Sequence, residues 1–234
     1  MSEKEGEEEG QILSEDTSEY DLSFKIIVVG DAGVGKSCLT LKATKDQFET
    51  SYNTTVGFEF YTMVIKIKDK VIRLQIWDTC GQEVYKSLIL SFYRNASLAI
   101  IVYAINDNNT FTNIERWLNE IKTVSNPQTK IFLIGNKVDL KDDRKVDTET
   151  AKKFSKEHEF QFFLETSAKT GINVKEVFVE AAKELYKNHL EYKDRASRLG
   201  SMLDAQDNNN KFNNLLLEEE DDKNKGIKKK GSCC

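Results

Sequence analysis

Cysteine and histidine are scarce in this chain of 234 residues, which has four cysteines and two histidines. The cysteines lack the spacing of a metal site or of a disulfide framework, so the sequence indicates a reducing compartment and no zinc. The histidines stand far apart in charged helical contexts, and we interpret both as surface residues rather than as ligands or bases. These residues are Cys38, Cys80, Cys233, Cys234, His158 and His189.

Long apolar runs are absent as well. No stretch approaches the ~20 consecutive apolar residues of a membrane-spanning helix. The acidic N-terminus resembles neither a signal peptide nor an arginine-rich transit peptide, so we expect a cytosolic protein. A net charge of −5 provides no broad basic surface, and we therefore expect no nucleic-acid partner.

The two ends of the chain differ in composition from its middle. Between Ser2 and Asp21, nine acidic residues stand against one lysine, and this composition predicts a disordered arm. The arm is either a solubilising extension or a docking segment. From Glu191 onward the apolar periodicity fades. The sequence thus predicts an acidic arm over 1–21, one compact domain over 22–190 and a flexible tail over 191–234.

The middle of the chain alternates short β-branched runs with helical patterns, which is typical of a mostly parallel sheet with helices on both faces. Phe58–Ile67 lies too close to Val71 for a crossover and must form an antiparallel hairpin at one edge. We predict a doubly wound α/β fold with a mostly parallel six-stranded sheet and one antiparallel edge strand. The other predicted strands are Phe24–Val29, Val71–Trp77, Leu98–Ala104, Lys130–Ile134 and Gln161–Leu164. Two predicted helical faces consist of Phe111, Ile114, Trp117, Leu118 and Ile121, and of Val174, Val177, Phe178, Ala181 and Leu185.

A glycine-rich segment follows the first predicted strand and opens a helical pattern. Its pattern G-x-x-x-x-G-K-S predicts a phosphate cradle, in which backbone N–H groups turn inward and the helix start adds its positive dipole end. Lys36 would reach the β and γ phosphates, and the Ser37 hydroxyl would hold Mg²⁺. The alternative is a strand-to-helix turn without a ligand. The segment is Gly30, Asp31, Ala32, Gly33, Val34, Gly35, Lys36 and Ser37.

Polar motifs also stand at the ends of other predicted strands, where ligands of such sheets bind. Asp78 ends one strand and is placed to fix Mg²⁺ through water beside Ser37. Gly81 would let the main chain approach a terminal phosphate, and the Gln82 amide is able to orient a water molecule. Taken alone, this D-x-x-G pattern is also a common turn.

Two further motifs are suited to binding the base of a nucleotide. The carboxylate that ends Asn136–Asp139 can accept both N–H groups on the N1 and N2 edge of guanine, a pair that adenine lacks. Alone, this pattern is also a polar turn. Ser167–Lys169 ends the last strand and fits the same ligand. The candidate base residues are Asn136, Lys137, Asp139, Ser167, Ala168 and Lys169.

Together these motifs resemble the full set of Ras-type small GTPases, over roughly Leu22 to His189. Within that superfamily the chain resembles the Rab branch, through Val56–Phe60, Arg73–Thr79, Phe92–Ala96 and the Cys233-Cys234 pair. The resemblance implies the P-loop small GTPase fold, GTP and GDP as ligands and Mg²⁺ as the metal.

The resemblance also implies roles for single residues. Thr55 would ligate Mg²⁺ and sense the γ-phosphate, Phe48 would stack on the guanine edge, and Lys137 would cover its other face. The Ala168 N–H would meet guanine O6, and Gln82 would orient the hydrolytic water. Further implied nucleotide contacts are Ala32, Gly33, Val34, Gly35, Lys36, Ser37, Cys38, Gly81, Asn136, Asp139, Ser167 and Lys169.

A switch cycle follows from the resemblance. GTP holds the loops around Thr55 and Gln82 ordered, and hydrolysis releases them. No arginine is obviously placed to act in cis, so we expect slow hydrolysis that a partner's arginine accelerates on the order of 10³ to 10⁵-fold. Expected partners of the monomer are an exchange factor, a GTPase-activating protein, effectors, an escort protein and a GDP-dissociation inhibitor. Departures from the usual pattern at Ala32, Cys80, Val84 and Asn95 leave partner choice and intrinsic rate open.

The tail indicates a lipid anchor on the cytosolic face of an intracellular membrane, in exchange with a cytosolic pool. Cys233 and Cys234 match the Rab ending that carries two geranylgeranyl groups, and two chains give stable anchoring. Nearby lysines add attraction to anionic lipid of about 1 kcal/mol per charge. The alternative is two incidental thiols. Phe212 with Leu215–Leu217 either docks the escort machinery or clusters without structure.

Two rival functions use the same motifs. One is an ATP-dependent kinase or ATPase, against which Asn136–Asp139 argues because it is suited to guanine. The other is a module that holds GTP without turnover, against which Gln82 argues.

Overall fold

The computed structural model describes residues 10–14, 16–48, 57–79 and 93–198. Thr55, Gly81 and Gln82, the Cys80 and Val84 departures, and the tail features Phe212, Leu215–Leu217, Cys233 and Cys234 lie outside the described residues.

The described residues form one sheet of seven strands in the order β1-β3-β4-β2-β5-β6-β7. Strands β2, β4, β5, β6 and β7 pair in parallel, whereas β3 runs antiparallel to both β4 and β1. The strands are β1 Gly10–Ile12, β2 Leu22–Val29, β3 Phe58–Ile67, β4 Lys70–Thr79, β5 Leu98–Ala104, β6 Lys130–Asn136 and β7 Phe162–Glu165. The mostly parallel α/β fold is confirmed.

Helices connect the parallel strands. Helix α2 is capped by Asp107, whose carboxylate accepts from the Asn109 N–H, and α4 is capped by Asp147 through the Thr150 N–H. The helices are α1 Lys36–Lys45, α2 Asn108–Thr112, α3 Ile114–Val124, α4 Thr148–Glu157 and α5 over residues 174–198, with a short 3-10 helix at Lys141–Asp143.

The apolar core lies on both faces of the sheet. Along β2, Ile26 and Val28 pack in one cluster with α1 and α5, whereas Ile27 and Val29 pack in the other with α3 and α4. This division follows from strand geometry, because successive side chains point to opposite faces. Burial confirms the predicted face of α5 and, in α3, the buried positions of Ile114, Trp117, Leu118 and Ile121. Phe111 is partly buried and lies in the separate helix α2, because the chain breaks at Asn113.

A strand in the N-terminal arm differs from two predictions, disorder throughout the arm and a sheet of six strands. Gly10–Ile12 is ordered as β1, paired with β3 from Gly10 opposite Ile67 to Ile12 opposite Ile65, and the Leu13 N–H donates to Val64 O at 2.9 Å. The sheet therefore has seven strands rather than six, and the antiparallel strand is second from the edge. The reason is that an open strand edge satisfies the backbone of a short segment whose composition alone indicates disorder.

The backbone conformation at Asn95 accounts for one departure from the resembled family, in which glycine is common at this position. Its φ of 60° lies in the left-handed region, which asparagine tolerates better than other residues with a side chain. The backbone can therefore keep the conformation that glycine would allow.

The chain divides into two compact units, Met1–Tyr186 and Lys187–Cys234. The first unit contains the whole sheet and the start of α5. In the second unit the described residues, 187–198, are helical and mostly exposed. Across the described part of the chain, no helix has the length and apolar character needed to cross a membrane.

Candidate functional site

The candidate motifs meet at one edge of the sheet. Strands β2, β4, β6 and β7 belong to the parallel part, so their carboxyl ends lie on the same side. This is the edge at which open α/β sheets bind ligands. We call the residues that follow β2 the phosphate end and those that follow β6 and β7 the base end, after the contacts that the sequence predicts for them.

The loop at the phosphate end depends on glycine. Gly30 has φ 139°, and a Cβ there would lie 2.2 Å from Val102 O. Gly35 has φ 96°, and its Cβ would lie 2.4 Å from Asn136 Nδ2. Both positions combine a backbone conformation that favours glycine with a neighbour that excludes a side chain. The loop can therefore fold tightly between β2 and α1.

The start of α1 offers an anion site. Gly35 is its N-cap, no side chain caps it, and its first turn contains no acidic residue. The first backbone N–H groups of a helix have no partner within the helix and carry partial positive charge. Lys36 is buried, and its Nζ donates to Gly30 O at 2.9 Å and to Asp31 O at 2.8 Å. These groups have the chemistry of a phosphate cradle.

Ser37 and Asp78 lie together beneath the cradle. The Ser37 hydroxyl donates to Asp78 Oδ2, and among the described residues Asp78 Oδ1 has no hydrogen-bond partner. Asp78 is fully buried, and burial raises its pKa to about 6, although the Ser37 hydrogen bond and Lys36 oppose the shift. A buried carboxylate oxygen without a partner, beside a hydroxyl, fits the oxygen ligands that Mg²⁺ prefers.

Asn136 joins the two ends of the site. Its Nδ2 donates to Val34 O in the cradle at 2.9 Å, and its Oδ1 accepts from the Ala168 N–H at 3.1 Å and from Thr166 Oγ1 at 3.2 Å. The side chain is buried and makes all three contacts with groups from the ends of β2 and β7. Asn136 is therefore a structural link between the loops at the ends of β2 and β7.

Asp139 and Ser167 form the other pair at the base end. Ser167 Oγ donates to Asp139 Oδ1 at 2.6 Å and accepts from the Thr170 N–H at 3.1 Å. Asp139 is half-buried. Lys137 has φ 76°, a left-handed conformation within the turn after β6.

The other predicted nucleotide residues differ in burial. Val34 and Ala168 are buried, whereas Ala32, Gly33 and Lys169 are exposed. Cys38 and Phe48 are partly buried and pack against the apolar cluster that contains α1. Ala32 and Gly33 are therefore accessible in the cradle loop, and Lys169 is accessible after β7.

The sequence motifs miss an ion pair that supports the base end. Arg144 donates to Glu165 Oε1 at 2.7 Å and to Oε2 at 2.9 Å, and Thr148 Oγ1 lies within 3.2 Å of both oxygens. This bond raises the pKa of Arg144. Glu165 ends β7 directly before Thr166 and Ser167, so the pair holds the turn that carries the base residues. No local sequence pattern predicts an ion pair between residues that are 21 positions apart.

Comparison with known proteins identifies the family of the chain. The Ras family profile matches residues 25–187, most of the chain. The chain belongs to the Ras family. The Ras-related protein Rab11B of Nicotiana tabacum is 44% identical over 169 residues, which cover 72% of this chain and 77% of that relative. The chain is therefore a Rab-type small GTPase, a protein class that binds guanine nucleotides and hydrolyses GTP.

Proposed function

We propose that this Rab-type GTPase is a GTP- and GDP-dependent switch in vesicle trafficking, and that its nucleotide lies across the carboxyl ends of β2, β4, β6 and β7. The observation that carries the proposal is the position of Asn136, whose amide bonds Val34 in the cradle and Ala168 at the base end. One buried side chain thereby sets the spacing between a phosphate cradle and a base-reading turn, as a nucleoside phosphate requires.

Asp139 is the residue we propose to select guanine. The Ser167 hydroxyl, 2.6 Å away, orients its carboxylate. That carboxylate can accept the two N–H groups of the guanine edge, and adenine would leave it unpaired. Lys137 and Phe48 are the proposed flanking contacts on the two faces of the base, and the Ala168 N–H is the proposed donor to guanine O6.

Calorimetry on the purified full chain tests this assignment. We expect GDP to bind on the order of 10⁴-fold more tightly than ADP. Asp139→Ala should weaken GDP binding by at least about 10²-fold and leave ADP binding nearly unchanged, because only guanine uses this carboxylate. Asp142→Ala, an exposed carboxylate in the short 3-10 helix, is the control and should bind GDP normally. Equal affinity for GDP and ADP would contradict the proposal.

At the phosphate end, we propose that Ser37 and Asp78 hold Mg²⁺, with Thr55 as a third ligand by family resemblance. The cation supplies positive charge against the triphosphate oxygens. Lys36 and the first N–H groups of α1 bind the same phosphate tail, and Gln82 orients the attacking water. Because no arginine of this chain is assigned to the reaction, intrinsic hydrolysis is slow, and the arginine of a GTPase-activating protein accelerates it.

We further propose that Cys233 and Cys234 carry geranylgeranyl groups, which an escort protein presents for modification and a GDP-dissociation inhibitor later shields. An exchange factor loads GTP, and effectors bind the GTP state at the cytosolic face of an intracellular membrane. The support is the resemblance of the ending to that of Rab proteins and the need for two chains in stable anchoring.

Fractionation of cells that express a tagged protein tests the anchor. Replacing both Cys233 and Cys234 with serine should move the protein almost completely into the soluble fraction, because the apolar attachment is lost. Ser232→Ala, at the adjacent position, should leave the membrane fraction unchanged. Membrane association that persists in the double variant would contradict lipid anchoring at this site.

A further inference from the structure

The second residue of the phosphate cradle makes contacts that phosphate binding does not require. Asp31 stands at a position that the motif G-x-x-x-x-G-K-S leaves unspecified. Its Oδ2 accepts from Asn113 Nδ2 at 2.7 Å, and its Oδ1 accepts from Trp117 Nε1 at 2.8 Å and from Arg116 at 3.2 Å. Three donors from the start of α3 thus converge on one carboxylate.

These donors form one face at the start of α3. Asn113, Arg116 and Trp117 are spaced by three and four residues, so they lie on the same side of the helix. Asn113 is the N-cap of α3, but its side chain makes no capping bond and donates to Asp31 instead. Trp117 is 6% exposed, and the side chain of Asp31 is 15% exposed. The bonds from Asn113 and Trp117 are therefore partly shielded from water, and shielding strengthens a hydrogen bond to a charged group. Arg116 is more exposed, at 41%, and contributes less.

The main chain of Asp31 connects this contact to the cradle lysine. Its carbonyl oxygen accepts from Lys36 Nζ at 2.8 Å. On either side, Gly30 and Gly33 have positive φ and supply little stiffness. The carboxylate of Asp31 is consequently the group by which a glycine-rich loop is held to a rigid helix.

We propose that Asp31 is a positioning residue, which ties the phosphate cradle to α3 and holds the carbonyl oxygen that orients Lys36. Asp31 itself touches no reacting atom in this scheme. Because the cradle is preorganised by this tie, bound nucleotide leaves slowly. The role rests on the proposed nucleotide binding, and the tie itself can be tested without nucleotide.

The dissociation rate of a fluorescent GDP analogue from the full chain is the main readout. Asp31→Asn keeps the shape but leaves one acceptor oxygen for three donors, and it should raise the rate by about tenfold. Trp117→Phe removes one donor and should raise the rate by about threefold. Adding Asn113→Asp to Asp31→Asn restores a carboxylate at the contact and should return the rate to within about threefold of the unmodified chain.

Ile121→Val is the matched control. Ile121 is buried in α3 and belongs to the same apolar cluster as Trp117, so this change destabilises the helix packing without touching the cradle. It should lower the midpoint of urea unfolding and leave GDP dissociation unchanged within about twofold. If Asp31 had only a structural role, the rate of GDP dissociation would rise in proportion to the loss of stability in both Asp31→Asn and Ile121→Val.

The indole N–H resonance of Trp117 reports the tie without nucleotide. The chain contains two tryptophans, so Trp117→Phe assigns the signal directly. Asp31→Asn should shift this resonance and speed its hydrogen exchange, whereas Ile121→Val should not. An unmoved resonance, or folded Asp31→Asn protein with an unchanged GDP dissociation rate, would overturn the proposal. If the unmodified chain binds no GDP, the proposed function fails and the positioning role fails with it, while a shifted resonance would still show that the contact exists.

Discussion

The phosphate end and the base end of the site are built differently. At the phosphate end, backbone conformation and buried charge dominate, with Gly30 and Gly35 at positive φ and Lys36 and Asp78 out of solvent. At the base end, hydrogen bonds made by side chains dominate, those of Asn136 with Thr166 Oγ1 and the Ala168 N–H and that of Ser167 with Asp139. Substitutions at the phosphate end should therefore act through steric clash or a change in buried charge. Substitutions at the base end should act through loss of side-chain orientation.

The largest expected effect is steric. Gly30→Ala places a Cβ 2.2 Å from a main-chain oxygen at φ 139°, and it should lower the free energy of unfolding by about 4 kcal/mol. Gly33→Ala is the matched variant, because Gly33 has φ 75° but no described atom within 4 Å of its Cβ position. It should cost only about 1 kcal/mol. Urea unfolding without nucleotide measures both values, and equal costs would refute the steric account.

A buried charge gives the next effect. Burial raises the pKa of Asp78 to about 6 from 3.8, so the folded state binds this proton more tightly than the unfolded state does. The charged carboxylate costs stability progressively as the pH rises from about 4 to about 6, and acidification from pH 7 to pH 4 removes most of that cost. For this group alone, the free energy of unfolding should rise by about 2 kcal/mol over that range.

Urea unfolding in EDTA from pH 7 to pH 4, on the unmodified chain and on Asp78→Asn, isolates this contribution. A carboxylate with a lowered pKa has the opposite effect, because its contribution to stability is lost on acidification. Asp21 is an example, since the Val71 N–H and Lys70 lower its pKa. Such contributions are the same in both proteins and cancel in the comparison. A difference between the two proteins that does not vary with pH would contradict the buried-charge account.

The smallest expected effect is at the base end. Ser167→Ala removes the donor that lies 2.6 Å from Asp139 Oδ1 and should weaken GDP binding by about fivefold, the value of one ordinary hydrogen bond. Binding of inorganic triphosphate should not change, because that ligand uses only the cradle. Competition against a fluorescent guanine nucleotide measures both affinities. Equal losses of affinity for GDP and for inorganic triphosphate would contradict the view that the base end and the phosphate end bind independently.

Local patterns predicted most of the fold for physical reasons. The apolar spacing of α3 and α5 follows the helical repeat, and burial of Ile114, Leu118 and Phe178 confirms it. The hairpin of β3 and β4 was predictable because a short connection excludes a crossover. The position of the motifs at one sheet edge followed from parallel pairing.

Long-range pairing was not predictable in the same way. Strand β1 forms because the edge of β3 is available for pairing. The composition of the N-terminal segment contains no information about an unpaired edge in a strand about 50 residues away. Likewise, the bond from Arg144 to Glu165 and the contacts of Asp31 with α3 join residues that no motif relates. Such pairs depend on where the completed sheet places the loops.

The amino-acid sequence by itself determined the parallel sheet, because periodicity and short connections act over a few residues, and its motifs carried the resemblance to the family. Tertiary structure alone decided that Asn136 links the two ends of the site, that β1 completes the sheet and that Asp31 is held by α3. The physical reason is that hydrogen bonds and buried charges depend on distances in the folded molecule, which are set only when separate strands have paired.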